Sequence, residues 1–399
     1  MTMLASRSHF LPSQGPRAHQ GAGLSPVIVG SATALPSQAY DQSYISDVVH
    51  SVVPPEMQRD GKFRRFFETV QVRRRHFVIP PERIVRLKGF KERNDIYIEA
   101  ALELSERVLI DALDDAALTP ADVGMLATTS VTGIAVPSLD ARLMNRIDFS
   151  RSLVRMPLFG LGCLGGAAGV ARVSEWLRGN PDQCAVLLAV ETCSLSFQFD
   201  AQIGNLVSIG LFGDGAAAVV MAGARHPLAR ASGCARDVYR TPRGARARVL
   251  GARSTFFPST ERVMGWDIGD NGFTPVLSHD VPDIVRHHAA SAVDALLERH
   301  DVDRDEVEHW VMHPGGPKVI DAMQSTLALP AHALSATRQH LRDVGNLSSA
   351  SVLFILDEHR RRIAAGDADA GYGVMMAMGP AFCAEVVLLD FASDEEDEL

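Results

Sequence analysis

Apolar positions along this chain alternate between two periods. From Asp95 onward, Ile98, Ala101, Leu102, Val108, Leu109, Ala112 and Leu113 fall at the spacing of one helix face. Short apolar runs flank such stretches. SPVIVG (25–30), VGMLATTS (123–130), AVLLAV (185–190) and AAAVVMA (216–222) predict buried strands. Between them, GLGCLGGAAGVARVSEWLR (160–178) opens on glycines and then places Val170, Val173, Trp176 and Leu177 with helical period. The second half repeats the alternation. Ile284, Val285, Val293, Leu296 and Leu297 predict a helix, VEHWVM (307–312) a strand, and Pro317 the first residue of a helix through Leu327. Asn346 reads as the N-cap of a helix to about Arg362, and GVMMAMG (373–379) and AEVVLLD (384–390) as closing strands. Gly213-Asp214-Gly215 reads as a tight turn. Strand–helix alternation through both halves predicts an α/β fold whose sheets are covered by helices. Order alone leaves open whether the strands make one sheet or two stacked ones.

Composition narrows the class. The 399 residues are enough for two or three domains or one large duplicated unit. With 46% hydrophobic and 22% charged residues, the chain is neither mainly disordered nor a collagen nor a coiled coil. A net charge of -9 argues against a general nucleic-acid partner. No apolar run reaches the length of about 18 residues that a membrane span needs. The cysteines are scattered, with no CxxC and no zinc spacing, so neither a disulfide scaffold nor a metal site is expected, and a cytoplasmic setting fits. Residues 1–24 mix Ser, Pro, Gly, Gln and Arg without the apolar core of a secretion signal and read as a disordered arm; 393–399 (SDEEDEL) read as an acidic tail. The basic stretch 58–77, with Arg59, Lys62, Arg64, Arg65, Arg73, Arg74 and Arg75, reads as a solvated surface or as a site for an anionic ligand.

Candidate chemistry centres on Cys163. It follows an apolar stretch and opens a small-residue helix, where unpaired N–H groups and the positive end of the helix dipole favour thiolate. Gly160, Gly162, Gly165 and Gly166 clear side chains from around the sulfur and allow a sharp strand-to-helix turn. The bland alternative is a small cysteine packed in a tight turn. Cys184 and Cys193 flank a strand and read as packing or pocket-wall residues. A thiolate needs a proton partner, normally a histidine distant in sequence. His313 ends a strand and enters Pro-Gly-Gly-Pro, a loop kept open by two glycines, which suits a cleft. Asn346, besides capping, is of a type that can aim an amide N–H at an oxyanion.

Together, GCLGGAAG (162–169), LFGDGAAAV (211–219), HPGGPKVID (313–321), GNLSSASVLFIL (345–356) and MGPAFCAE (378–385) resemble the type III polyketide synthases, the chalcone synthase-like branch of the thiolase superfamily. The resemblance runs in register from about 25 to 392, and VPSLDARL (136–143) and MGWDIGDNGF (264–273) resemble bacterial members. It implies a thiolase-like fold: two related βαβαβ-type halves, 25–235 carrying the cysteine and 236–392 carrying His and Asn, with stacked sheets in αβαβα layers. It implies that Cys163 takes an acyl starter from coenzyme A, that His313 holds it as thiolate, and that His313 and Asn346 bind the thioester oxygen of malonyl-CoA while CO₂ leaves. The resulting enolate attacks the acyl-Cys163, so neither a metal nor an organic cofactor is needed, the coenzyme A thioesters being substrates. Phe212 matches the family's gatekeeper; Thr132, Ser196 and Ser348 match cavity-wall positions, with Cys193 and Trp266 expected nearby. A second gatekeeper falls near Pro275. Lys62 and Arg65 match positions that contact coenzyme A phosphates, a third such position is Thr69 here, and Lys318 lies at the expected tunnel mouth. The family's closing GPG turn is GPA, with Ala381. The resemblance also implies a homodimer. A long or medium acyl starter giving a pyrone or resorcinol is the reading preferred from sequence, because small residues near Cys193, Ser196 and Ala135 leave room for an apolar tunnel. The alternatives are a malonyl-primed tetrahydroxynaphthalene or phloroglucinol synthase, a priming ketoacyl-synthase-like enzyme using acyl carrier protein, and a non-catalytic thiolase-fold partner.

Overall fold

The computed structural model describes residues 25–58, 62–200, 202–230 and 243–391. The arm 1–24, the tail 393–399 and the division expected at 235/236 lie outside these residues. The first half contains strands β1 (Val27–Ala34), β2 (Ala39–Asp41), β3 (Arg74–His76), β4 (Val123–Thr129), β5 (Val154–Leu158), β6 (Cys184–Thr192) and β7 (Asp214–Ala222). The second contains β8 (Ala247–Phe256), β9 (Met264–Gly269), β10 (Gly272–Leu277), β11 (Val307–Met312), β12 (Gly371–Gly379) and β13 (Cys383–Phe391).

The main sheet runs β11-β12-β13-β8-β1-β7-β6-β4-β5. Within the sheet its halves are joined where β1 pairs with β8, through Val27↔Arg248 and Ile28↔Ala247. The open question from sequence thus has a mixed answer: hydrogen bonding makes one continuous sheet, but its two halves stack on each other. Burial shows how. In β6, Val186, Leu188 and Val190 face one core while Ala185, Leu187 and Ala189 face another, the two-residue alternation of a strand covered on both sides. The outer face takes the helix Gly89–Asp115 through Leu102, Val108, Leu109 and Ala112. The inner face takes the helices Gly165–Gly179 and Ser351–Ala364, whose Val170, Val173, Val352 and Ile355 also pack on Val311, Met375 and Val387 of the other half. Beyond that half lie the helices Val281–Leu297 and Pro317–Thr326, with Val285, Val293, Ile320 and Met323 on Val374, Met376, Val386 and Leu388. Helix, sheet, helix pair, sheet, helix pair: these are the expected αβαβα layers.

Two local readings change, and one stretch left unassigned gains a structure. Asn346 does not cap the closing helix, which begins at Ser351 after a 3-10 turn at Ser348–Ala350; its Oδ1 instead accepts the Ser348 N–H at 2.8 Å. Asp214 is no turn residue. It is the buried first residue of β7, and its carboxylate accepts from Ser194 N, Ser194 Oγ and Val78 N. The stretch 264–277 folds as the hairpin β9–β10.

The turn joining β12 to β13 holds Ala381 at φ 58°, the left-handed region where a Cβ crowds the backbone. Ala381→Gly is expected to raise stability by about 1 kcal/mol, since relief of that crowding exceeds the entropy glycine adds to the unfolded chain. The denaturant midpoint at unchanged m-value measures it.

Candidate active site

Two turns bring the expected trio together. β5 leads into a 3-10 turn at Gly162–Leu164, and the helix 165–179 follows directly. Gly162 sits at φ 52°, where a Cβ would also lie 2.7 Å from Pro380 Cγ and Cδ. At Gly166 a Cβ would meet Ser349 O at 2.3 Å, so only glycine lets this helix start press against the turn 348–350. That contact sets Cys163 Sγ 3.7 Å from Ser348 Oγ. Ser348 itself holds φ 51°, a strained backbone at a site-lining residue.

Asn346 enters from the same loop. Its N–H donates to Leu211 O at 2.8 Å and its carbonyl accepts from Gly213 N at 2.9 Å, a parallel bridge that places Phe212 and Asn346 side by side. With Oδ1 committed to Ser348 N, the amide Nδ2 is left as the donor. His313 follows the last residue of β11, held by its N–H to Met376 O at 2.9 Å. Its side chain is buried and neither ring nitrogen has a hydrogen-bond partner. A buried imidazole left unpaired is costly unless something else is to be bound there.

Cys163, His313, Asn346, Ser348 and Phe212 line one cavity of about 420 Å³. Trp266 and Pro275, opposite one another across the β9–β10 hairpin, form part of its wall with Leu211, Met264, Val285, Met378 and Phe382. At the edge it reaches Thr69 and the exposed Lys318. Arg65 is exposed on the helix Lys62–Thr69 and is not among the lining residues; the side chain of Lys62 lies outside the described residues.

Three expected wall residues stand apart from the cavity. Thr132 Oγ1 donates to Glu191 at 2.9 Å and accepts the Thr192 N–H; Ser196 Oγ donates to the carbonyl of Cys193; and Cys193 is buried. Glu191 was missed from sequence. It lies buried in β6 and also accepts from Val131 N and Ser349 Oγ, while burial pushes its carboxyl up to about 7. A lone glutamate ending a wholly apolar strand, AVLLAVE, was the available signal.

Burial bears directly on the charge states of Cys163 and His313. Burial pushes the Cys163 thiol up to about 12, with the Glu191 carboxylate adding to the rise, and pushes His313 down to about 3. Desolvation thus works against the thiolate at Cys163, whose Sγ donates to Ser348 Oγ at 3.7 Å. The Ser348 hydroxyl acts against that rise. Two outcomes are expected. Iodoacetamide alkylation of Cys163 still climbs with pH above 9, and Ser348→Ala slows it further at any given pH by raising the thiol's pKa. A rate already flat near neutral pH would contradict both.

The comparisons with known proteins agree with this geometry. Residues 13–225 match the N-terminal domain of the chalcone and stilbene synthases, and residues 248–392 the C-terminal domain. The chain is 43% identical over 359 residues to a 1,3,6,8-tetrahydroxynaphthalene synthase of Streptomyces peucetius subsp. caesius, covering 90% of this chain and 91% of that one. It is 31% identical over 370 residues to a putative chalcone synthase of Bacillus subtilis (strain 168), covering 91% and 98%. The crystal structure of a tetrahydroxynaphthalene synthase from Streptomyces coelicolor A3(2) superposes with a TM-score of 0.81 at 28% identity, covering 92% of this chain and 99% of that one. The chain belongs to the chalcone and stilbene synthase family: it is a type III polyketide synthase of thiolase fold, an acyltransferase acting by decarboxylative condensation.

Proposed function

We propose that malonyl-CoA serves this enzyme as both starter and extender, and that the product is a small aromatic polyketide such as tetrahydroxynaphthalene. The observation that carries this is the wall of the cavity. A tunnel for a long acyl chain was expected beside Cys193 and Ser196, but these residues and Thr132 are buried, and the two hydroxyls are tied up in hydrogen bonds away from the cavity of about 420 Å³. A compact cavity suits a chain that folds on itself. The relative from Streptomyces peucetius subsp. caesius, named for a naphthalene product, supports the same reading.

The roles follow from position. Cys163 Sγ attacks the thioester carbonyl, its proton passes to His313, and the thiol of coenzyme A leaves with a proton returned. Neither ion is favoured alone in this cavity, but the transfer creates both together, beside helical N–H groups that favour the sulfur's negative charge. A second malonyl-CoA then sets its thioester oxygen against Asn346 Nδ2 and His313. As the carboxylate leaves as CO₂, its bonding electrons become an enolate whose charge rests on that oxygen. Donors fixed there stabilise the transition state more than the ground state. The enolate carbon attacks the acyl carbon and the bond to Sγ breaks, leaving the lengthened chain as a coenzyme A thioester. Sγ then attacks that thioester, coenzyme A leaves as its thiol, and the chain is back on Cys163 for the next round. Phe212, Trp266 and Pro275 border the space in which the chain bends, and Lys318, with Lys62 and Arg65 nearby in sequence to the lining Thr69, offers charge to the phosphates of coenzyme A.

The enzyme is proposed to act as a cytoplasmic homodimer. Val154 and Phe159, on and just after the sheet-edge strand β5, are 43% and 59% exposed, apolar area of the kind a second copy covers. Cys163, Cys184, Cys193 and Cys383 are free thiols, as a reducing compartment keeps them. Among the described residues no helix is long and apolar enough to cross a membrane.

Incubation with malonyl-CoA alone, followed by mass spectrometry of the products, tests the starter. An aromatic polyketide formed without any other acyl-CoA is expected. Product only when a long acyl-CoA is added would restore the alkyl-primed reading, and product only from an acyl carrier protein would favour the priming-synthase alternative.

A further inference from the structure

Arg75 is read from sequence as one member of a basic surface run, and in the structure it is fully buried. Its neighbours Arg73 and Arg74 are exposed, so the run is split by a single inward side chain at the middle of β3. The guanidinium is spent on backbone carbonyls. One terminal nitrogen donates to Ile209 O and, at 2.9 Å, to Phe212 O; the other donates to Gln42 Oε1 at 2.7 Å. Gln42 Nε2 in turn donates to Gly210 O at 2.8 Å. The pair thus satisfies the carbonyls at residues 209, 210 and 212, where the helix Ile203–Leu211 ends and no intrahelical donor remains.

The stem of the same side chain lies behind Asn346. A Cβ built on Gly345, at φ 83°, would meet Arg75 Cγ at 3.0 Å and Cδ at 3.1 Å, and one on Gly213 would lie 3.7 Å from Arg75 Cβ. Gly213 and Gly345 flank the bridge between Phe212 and Asn346. Arg75 therefore lies against both glycines that flank that bridge and is not among the residues lining the cavity. Asp214, whose carboxylate holds Val78 and Ser194, offsets part of the cost of burying the Arg75 charge.

We propose that Arg75 is a positioning residue for chain extension. Clamped by Gln42, it fixes the end of the helix 203–211 and the loop 345–346 as one unit, which sets Phe212 and the Asn346 amide at a constant distance from Cys163. Loading of Cys163 does not use that amide; decarboxylation and folding of the chain do. This rests on the roles assigned above to Asn346 and Phe212. Arg75 contacts no substrate, and its effect passes through the two residues it holds.

Arg75→Met, Arg75→Lys and Gln42→Ala test it, each with single-turnover acylation of Cys163, CO₂ release from malonyl-CoA and the ratio of full-length product to short released lactones. In Arg75→Met, acylation is expected within about twofold of wild type, while CO₂ release falls about 10- to 100-fold, the scale of a misplaced reacting group, and short lactones accumulate. Arg75→Lys should recover part of the CO₂ release, because an ammonium reaches one carbonyl but not the whole set. Should Arg75→Met fail to fold, Gln42→Ala carries the test, with the same split expected at smaller size. Equal loss of acylation and CO₂ release, or an unchanged product ratio in Gln42→Ala, overturns the proposal. If wild-type enzyme releases CO₂ but Asn346→Ala is unimpaired, the fault lies in the role given to Asn346 and not in the clamp.

Discussion

Cys163→Ala is expected to abolish acyl-enzyme formation and lower product formation by roughly 10³-fold or more, the scale seen when a covalent nucleophile is removed. The argument is geometric. Sγ lines the cavity shared with His313 and Asn346, and the other buried thiol near it, Cys193, does not line that cavity. Among the described residues no second thiol lines the cavity to take over. The substitution removes a small side chain at a turn shaped by Gly162 and Gly166, so folding should survive, which an unchanged melting temperature would establish. Decarboxylation is a separate matter. His313 and Asn346 remain, so Cys163→Ala should still convert malonyl-CoA to acetyl-CoA slowly. Intact-protein mass spectrometry and CO₂ release, measured on one sample, separate the two activities.

Asn346→Ala should show the converse. Loading of Cys163 is spared, while decarboxylation slows about 10²–10³-fold, the effect of losing one donor at a developing oxyanion. One structural cost accompanies it, since Oδ1 also holds Ser348 N at 2.8 Å. Asn346→Asp distinguishes the two contributions. It keeps the acceptor for Ser348 N but offers a carboxylate where the enolate charge develops. Decarboxylation at least as slow in the Asp variant as in the Ala variant locates the effect in the amide N–H; recovery in the Asp variant would assign it to loop shape instead.

Much of the fold is legible in the sequence because its elements carry unbroken periodic signals. β11 matches its expected span, and β6 and β12 differ only at their ends. Cys163 and His313 are legible for another reason: each sits beside a cluster of glycines, the local signal of a tight turn and a close approach. What escaped depends on contacts between distant segments. Arg75 looks like its exposed neighbours until β3 pairs with β2 and turns it inward. Asp214 looks like turn chemistry because nothing local reveals that Ser194 and Val78 will donate to it. The charge state of Cys163 is the clearest case. A helix N-terminus can be read from sequence, but desolvation cannot, and here desolvation dominates. The orientation of the hydroxyls at 132 and 196 escaped as well, since they line a cavity or turn from it according to hydrogen-bond partners that periodicity does not show.

The most direct test is peptide mapping of the wild-type enzyme after brief mixing with malonyl-CoA. Ketide mass increments are expected on the peptide bearing Cys163 and on no other cysteine. Product released while that peptide stays unmodified, or increments carried by Cys193 or Cys383, would contradict the catalytic scheme built on this cavity.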